Sequence, residues 1–282
     1  MPNLELIKKK KVSNFRKIAL GTWQRTYDPS VYGTMDIRMD DAVRYVAEFR
    51  EKTGRRLTVS HLVAKAVAMA LKECPDANAV LRWNRIYLRK VIGVFFQVAM
   101  TDEGSDKIDL SGLTLYDVDQ KAIADILDEF EEKVEKVRKR EDPVLEKTRN
   151  TFQVIPYLLL NVFLKTLSFL TIALNLDLRW AGIPKDPLGS VMVTNVGSLG
   201  LDVAYVPLVP YSGVPILLAM GEVADVPIVE DGEIKAAKIM RLNATFDHRV
   251  IDGFHAAVLA KVLRKWLQNP YEMFGEIPET KD

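Results

Sequence analysis

Apolar positions recur at helical spacing in four long stretches. Asp40–Thr53 carries Ala42, Val43, Val46, Ala47 and Phe49 on one stripe, and Gly54 follows as a stop signal. Thr58–Cys74 is apolar almost all round, which predicts a buried helix with Ser60 as a plausible cap and Pro75 as its terminator. Asp119–Arg140 repeats Ile123, Ile126, Leu127, Phe130, Val134 and Val137, with Glu/Lys pairs on the opposite face. Gly253–Gln268 is the last, closed by Pro270. A shorter helix is expected over Asn14–Trp23, capped by Ser13 or Asn14.

Between these, the pattern turns to alternation or short apolar runs. Tyr32–Arg38, Ala79–Trp83, Ile86–Leu88, Val91–Met100, Ser190–Thr194, Val214–Gly221, Val223–Val229 and Ala237–Ala244 read as strands. Asp231-Gly232 predicts a hairpin turn between the last two. Interspersed helices and strands, then mostly strands, then a helix predict an α/β fold with a mixed sheet and helices packed on it.

Tyr157–Leu178 stands apart. About 22 helical residues reach ~33 Å, enough to cross a bilayer core. Yet Asn161, Lys165, Ser168 and Asn175 fall on one narrow polar stripe. A helix packed inside the protein or at a subunit contact, a helix lying in a membrane interface, and a true span all remain open.

Composition changes this picture little. The chain has 282 residues, 48% hydrophobic and 27% charged, long enough to bury one large core. Lys+Arg number 39 against 38 Asp+Glu, so nothing in the overall charge points to nucleic acid. The single cysteine, Cys74, excludes an internal disulfide and a Cys-rich metal site. Residues 1–11, with the Lys8–Lys11 run, read as a solvated basic arm, and no secretory signal opens the chain.

Candidate chemistry begins with three histidines. His61 at the start of an apolar helix and His255 inside the last helix have ordinary structural readings. His248 sits in Asp247-His248-Arg249-Val250-Ile251-Asp252-Gly253, between a strand and a Gly-opened helix. On spacing alone, a site role and a structural role are equally supported there. No GxSxG elbow, P-loop or zinc-ligand spacing is present.

The DHRVIDG stretch resembles the active-site motif of the 2-oxo acid dehydrogenase acyltransferases, the catalytic cores of dihydrolipoyl acyltransferases. Four further stretches agree in order: Asn14–Ala19 (NFRKIA), Leu57–Asn78, Val191–Gly197 (VMVTNVG) and Pro215–Val223. The resemblance covers most of Val12–Pro270. It implies a two-layer α/β sandwich of the chloramphenicol acetyltransferase type, with residues 12–282 forming one catalytic domain. It implies a homotrimer, or a multiple of trimers, with the active site between subunits. His248 would be the general base that takes a proton from a thiol, and Thr194 would donate its hydroxyl to the oxyanion. Read without the family, Thr194 is a strand-end threonine capping a turn. Asp252 and Arg16 match a pair that forms a buried salt bridge in relatives and steadies the motif loop. Coenzyme A would enter as acyl-CoA substrate, with no bound metal. The same fold implies that both halves of the chain lie on one side of any membrane, which disfavours a complete span through Tyr157–Leu178.

Three departures from the family qualify those expectations. No lipoyl module precedes the core and no lipoyl lysine is recognisable, so a lipoyl- or acyl-carrier protein would act in trans. An apolar insertion occupies about residues 141–189. Thr101–Gly112 is charged where relatives run Gly-Leu-x-x-Pro. A location in the cytoplasm is expected, with a peripheral membrane contact through Tyr157–Leu178 as the alternative. Two rival functions stay open: a small-molecule or lipid O-acyltransferase using the same base, and a non-catalytic scaffold core.

Overall fold

The computed structural model describes residues 2–11, 29–101, 108–139 and 156–278. The expected helix at Asn14–Trp23, with Arg16, lies outside the described residues, as do residues 102–107 and 140–155.

Nine strands and six helices are described: β1 (Leu6–Lys8), β2 (Ser30–Arg38), α1 (Asp40–Thr53), α2 (Val59–Glu73), β3 (Ala79–Arg82), β4 (Arg85–Arg89), β5 (Gly93–Thr101), β6 (Ile108–Tyr116), α3 (Ile123–Arg138), α4 (Tyr157–Ser168), β7 (Val191–Asn195), β8 (Ile216–Glu230), β9 (Glu233–Asp247), α5 (Gly253–Gln268) and α6 (Pro270–Met273). A six-stranded sheet runs β2-β9-β8-β7-β5-β6, and a small one runs β1-β4-β3. β7 pairs parallel with both β5 and β8, and every other pairing in the large sheet is antiparallel. The α/β mixed-sheet expectation therefore holds.

The pleat explains the layering. Val94 and Phe96, Val191 and Val193, Ile216, Leu218 and Met220, and Met240 and Leu242 alternate along their strands. They share one buried cluster with Tyr45 and Phe49 of α1, Leu62 and Val67 of α2, Ile126 and Leu127 of α3, and Leu259 and Leu263 of α5. Period-2 residues on the sheet meet period-3.6 stripes on the helices, giving one helix-covered face. Thr194, next to the core position Val193, projects to the other face.

Helix boundaries follow the caps. Gly54 closes α1 at φ 67°, a left-handed conformation that costs glycine nothing. α2 is capped by Thr58, not by Ser60, which falls inside the helix. The hairpin turn at Asp231-Gly232 has φ 55° and 80°, the pair of positive values a type I′ turn needs. The two strands expected before it are one strand, β8, with a bulge between Met220 and Val223.

Two elements escaped the sequence pattern. β6 crosses the stretch expected as a charged connection, and its pairing with β5 determines it. Leu6–Lys8, expected within a solvated arm, is an edge strand on β4, and Lys9 reaches Asp76 at 2.6 Å. Tyr157–Leu178 is not one continuous α-helix. It is α-helical to Ser168, forms a π turn at Phe169–Ala173, and ends where Asn175 takes φ 57°. Asn175 is held there by bonds to the backbone of Leu4, and Asn161 of the polar stripe donates to the Tyr211 hydroxyl at 2.7 Å. Among the described residues, no helix is long and apolar enough to cross a membrane.

Candidate active site

The DHRVIDG stretch forms the turn between β9 and α5. Asp247, buried at the strand end, accepts the Arg249 guanidinium on both oxygens, Nε at 2.9 Å and Nη2 at 2.7 Å. The backbone N–H groups of Val250 and Ile251 donate to the Asp247 carbonyl, tightening the turn. The His248 N–H donates to the Pro29 carbonyl, which ties the turn to the start of β2.

His248 Nδ1 lies 2.9 Å from the Ile251 carbonyl oxygen. A carbonyl can only accept, so Nδ1 carries the hydrogen, and in the neutral ring Nε2 keeps the lone pair. The turn thus sets one tautomer and leaves Nε2 as the basic atom.

Asp252 is the N-cap of α5. Its Oδ1 accepts from the backbone N–H groups of Phe254 and His255, both at 3.1 Å, and from His255 Nδ1 at 2.5 Å. That satisfies two of the helix's four orphan donors and sets a carboxylate at the positive end of its dipole. Asp252 therefore has a structural duty within the described residues. His255 has one as well, and neither its spacing nor the motif revealed the cap.

Thr194 lies at the end of β7, half-buried, and its hydroxyl donates to Gln97 Oε1 of β5 at 2.9 Å. Sequence reading missed Gln97, although a polar residue at an outward position inside the apolar run GVFFQVAM was a readable signal. The next residue, Asn195, turns back to the helix side, where its Nδ2 lies 3.4 Å from Ser60 Oγ.

β-sheet register separates Thr194 from His248. Thr194 pairs with Ala219, and Ala219 pairs with Asn243. His248 is five positions past Asn243, about 16 Å along the strand direction and two strands, about 10 Å, across, so the pair stand about 19 Å apart in one chain. A single protomer does not bring the expected base and the expected hydroxyl together.

A cavity of about 550 Å³ opens on the helix side of the β7 end, between the start of α2 and α3. Phe96, Phe130, Val134, Val193 and Met220 form its apolar walls, and Arg56, Glu131, Glu135 and Lys139 add charge. It reaches Gln97, the partner of Thr194. His61 also lines it. The Thr58 N–H donates to His61 Nδ1 at 3.1 Å, closing a capping box, so the hydrogen of the neutral ring sits on Nε2. That Nε2 is buried without a partner among the described residues, and the ring meets Phe130 edge to face at 4.5 Å. Burial, with a smaller push from Arg50, drives the His61 pKa down to about 4. Among the described residues, no group of His, Cys, Asp and Glu is arranged to hold a metal ion.

Comparison with known proteins adds to this geometry. The lipoamide acyltransferase component of the branched-chain alpha-keto acid dehydrogenase complex of Pseudomonas putida is 34% identical over 87 residues, 31% of this chain and 20% of that protein. The chain spans about a fifth of the length of the curated relatives it matches. A crystal structure of a probable dihydrolipoamide acetyltransferase from Listeria monocytogenes is 18% identical, covers 97% of this chain and 98% of its own, and superposes with a TM-score of 0.64. A dihydrolipoamide acetyltransferase of Azotobacter vinelandii, 20% identical, covers 95% and 93% with a TM-score of 0.63. These likenesses are of fold. The family model for the 2-oxoacid dehydrogenases acyltransferase catalytic domain matches residues 6–156 and 187–275, so most of the chain on both sides of α4 fits it, and the chain belongs to that family.

Proposed function

We propose that this domain transfers an acyl group between coenzyme A and a second thiol, at sites formed where His248 of one chain faces Thr194 of another. The observation that carries the reading is the His248 turn, whose Nδ1–H···Ile251 bond makes Nε2 the basic atom and orients the ring from the backbone. Nε2 takes the proton of the incoming thiol. The thiolate adds to the thioester carbonyl, and the Thr194 hydroxyl, exchanging its bond to Gln97, donates to the oxyanion. The tetrahedral intermediate collapses, the leaving thiolate recovers the proton from His248, and no acyl-enzyme forms.

Two features support placing the site between chains. One protomer's register holds the two groups about 19 Å apart, and the family resemblance implies a homotrimer. The Azotobacter vinelandii relative was investigated for the roles of a serine, a histidine and an asparagine in its catalytic mechanism, the last two four positions apart. His248 and Asp252 keep that spacing here, and Thr194 supplies the hydroxyl. Asp252 would steady the turn through its cap and through Arg16. The cavity beside Gln97 supports an acyl thioester, because its apolar walls suit an acyl or pantetheine chain. The second thiol would be a dihydrolipoyl or carrier-protein arm supplied in trans, and residues 157–186, outside the family match, would be an insertion into the catalytic domain.

The test is subunit mixing. His248→Ala and Thr194→Val proteins, each assayed alone with acyl-CoA and dihydrolipoamide, should be slowed ~10²-fold or more. Unfolded and reassembled together, they should regain roughly a quarter of wild-type activity by random assortment, because some interfaces pair an intact histidine with an intact threonine. No recovery from two inactive but folded variants would refute a site shared between chains.

A further inference from the structure

A surface helix that packs one apolar stripe on its own chain normally turns polar residues to water on the other side. α4 does not. Leu164 and Leu167 face the body of the chain, and Asn161 is held by the Tyr211 hydroxyl. The opposite stripe is Leu159, Val162, Thr166 and Phe169, all exposed. Spacings of three, four and three keep these four within about 80° around the axis and over about 15 Å of its length. The Thr166 hydroxyl donates to the Val162 carbonyl at 2.8 Å, so the one polar group of the stripe is satisfied inside the helix.

The β3–β4 turn extends this stripe. Trp83 meets Phe169 edge to face at 5.7 Å and is 59% exposed. The Arg82 guanidinium donates to the Ala173 carbonyl, Nη2 at 3.0 Å and Nε at 3.3 Å, which fastens the hairpin to the π turn after α4. Trp83 and Asn84 take φ 51° and 57°, the positive pair that asparagine and glycine usually supply. A bulky residue in that conformation is strained, and an exposed indole recovers nothing from the core. The charge nearby has one sign: residues 6–11, 79–91 and 157–176 contain no Asp or Glu. The antiparallel register Leu6↔Arg89 to Lys8↔Tyr87 runs the lysines toward the turn, and the Lys9 N–H donates to the Ile86 carbonyl, so Lys10 and Lys11 continue toward Arg85. Lys9 is paired with Asp76, and Asp177, the first acid after α4, with Arg179. Lys10, Lys11, Arg85 and Lys165 are exposed.

We propose that this face docks on the surface of an anionic lipid bilayer. Leu159, Val162, Phe169 and Trp83 enter the boundary between headgroups and acyl chains, while Lys10, Lys11, Arg85 and Lys165 lie against the headgroup phosphates. Charge complementarity selects this occupant: an apolar stripe with a tryptophan, flanked by cations and free of acids, is the composition of an interfacial helix. A second copy seated on the same face would set these cations against themselves. The contact lies in the plane of the membrane and crosses nothing, as an α-helix ending at Ser168 requires. It does not rest on the acyl-transfer reading: a protein that binds vesicles but transfers no acyl group, or the reverse, separates the two.

Vesicle flotation of the full chain tests it. With vesicles of phosphatidylglycerol and phosphatidylcholine in equal parts, most of the protein should float at about millimolar lipid. Phosphatidylcholine alone, or about 0.5 M salt, should weaken binding by about tenfold or more. Lys10→Gln/Lys11→Gln/Arg85→Gln should do the same on the mixed vesicles. Trp83→Gly/Phe169→Ser removes the aromatic pair and should also weaken binding by about tenfold or more. Glycine suits the φ of 51°, so this variant keeps the test alive if the charge variant fails to fold. No flotation of the wild type, or equal binding to phosphatidylcholine alone, would overturn the proposal. A folded variant that binds as tightly as wild type would do so too. So would an aromatic-pair variant that sediments as a smaller species than wild type, because that would put a second copy on the face.

Discussion

Acidification should destabilise this protein through one buried imidazole. His61 is 3% exposed, and its pKa lies at about 4 in the fold against about 6.5 in an unfolded chain. Between those values the unfolded state binds a proton that the folded state refuses. The sign follows: the contribution is fully present above pH 6.5 and is lost as pH falls toward 4. At pH 4.5 the loss is about 2–3 kcal/mol, and at pH 7 it is well under about 1 kcal/mol. The variant that isolates it is His61→Leu, which fits the apolar surroundings of Phe96 and Phe130 but gives the Thr58 N–H no acceptor. At pH 7 the variant should be less stable than wild type by about 1 kcal/mol, the usual worth of a cap interaction. At pH 4.5 the order should invert, with the variant ahead by about 1–2 kcal/mol. Other low-pH losses, such as those of Asp40 and Glu129, whose pKa values are held down by Arg38 and by Lys121 and Lys133, occur in both proteins and cancel. Urea melts at fixed protein concentration, from pH 7.5 to 4.5, measure the difference. A gap between the two proteins that does not change with pH would refute the argument, because it would mean that His61 titrates alike in both states.

Thr194→Ser should keep most acyl-transfer activity while Thr194→Val loses about 10²-fold in kcat, since only the hydroxyl can donate to an oxyanion; equal rates for Val and wild type would remove that role. Asp252→Ala should cost about 1–2 kcal/mol in a denaturant melt by uncapping α5, with Asp252→Asn recovering most of it because asparagine also caps. Gly189→Ala should destabilise by more than about 2 kcal/mol, because φ is +62° there and a Cβ would stand 2.7 Å from the Gly93 backbone; an unchanged melting temperature would show that the crossing can open.

Much of this molecule was written locally. The stripe Ala42, Val46 and Phe49 and the stop at Gly54 specify α1 without reference to anything distant, because a helix satisfies its own backbone and its buried face is set by period. Asp231-Gly232 specifies the β8–β9 turn for the same reason: its positive φ values are a property of two adjacent residues. DHRVIDG was legible through its resemblance to a family motif, and its turn, imidazole tautomer and helix cap all close within nine residues, from Asp247 to His255. What the sequence could not supply depends on partners far along the chain. β6 exists through its pairing with β5, and β1 through β4, so their own weak patterns did not announce them. Gln97 became a site residue only when parallel pairing laid β7 beside β5 and brought Thr194 to it, 97 positions away. Tyr157–Leu178 had the length and hydrophobicity of a span, and what ended its helix was Asn175 locked onto the backbone of Leu4, a contact 171 positions distant. The burial of Arg89 with its Nε and Nη2 donors unmatched among the described residues is likewise a fact of tertiary structure, since an arginine's charge is local but the loss of its water is decided by whatever folds over it.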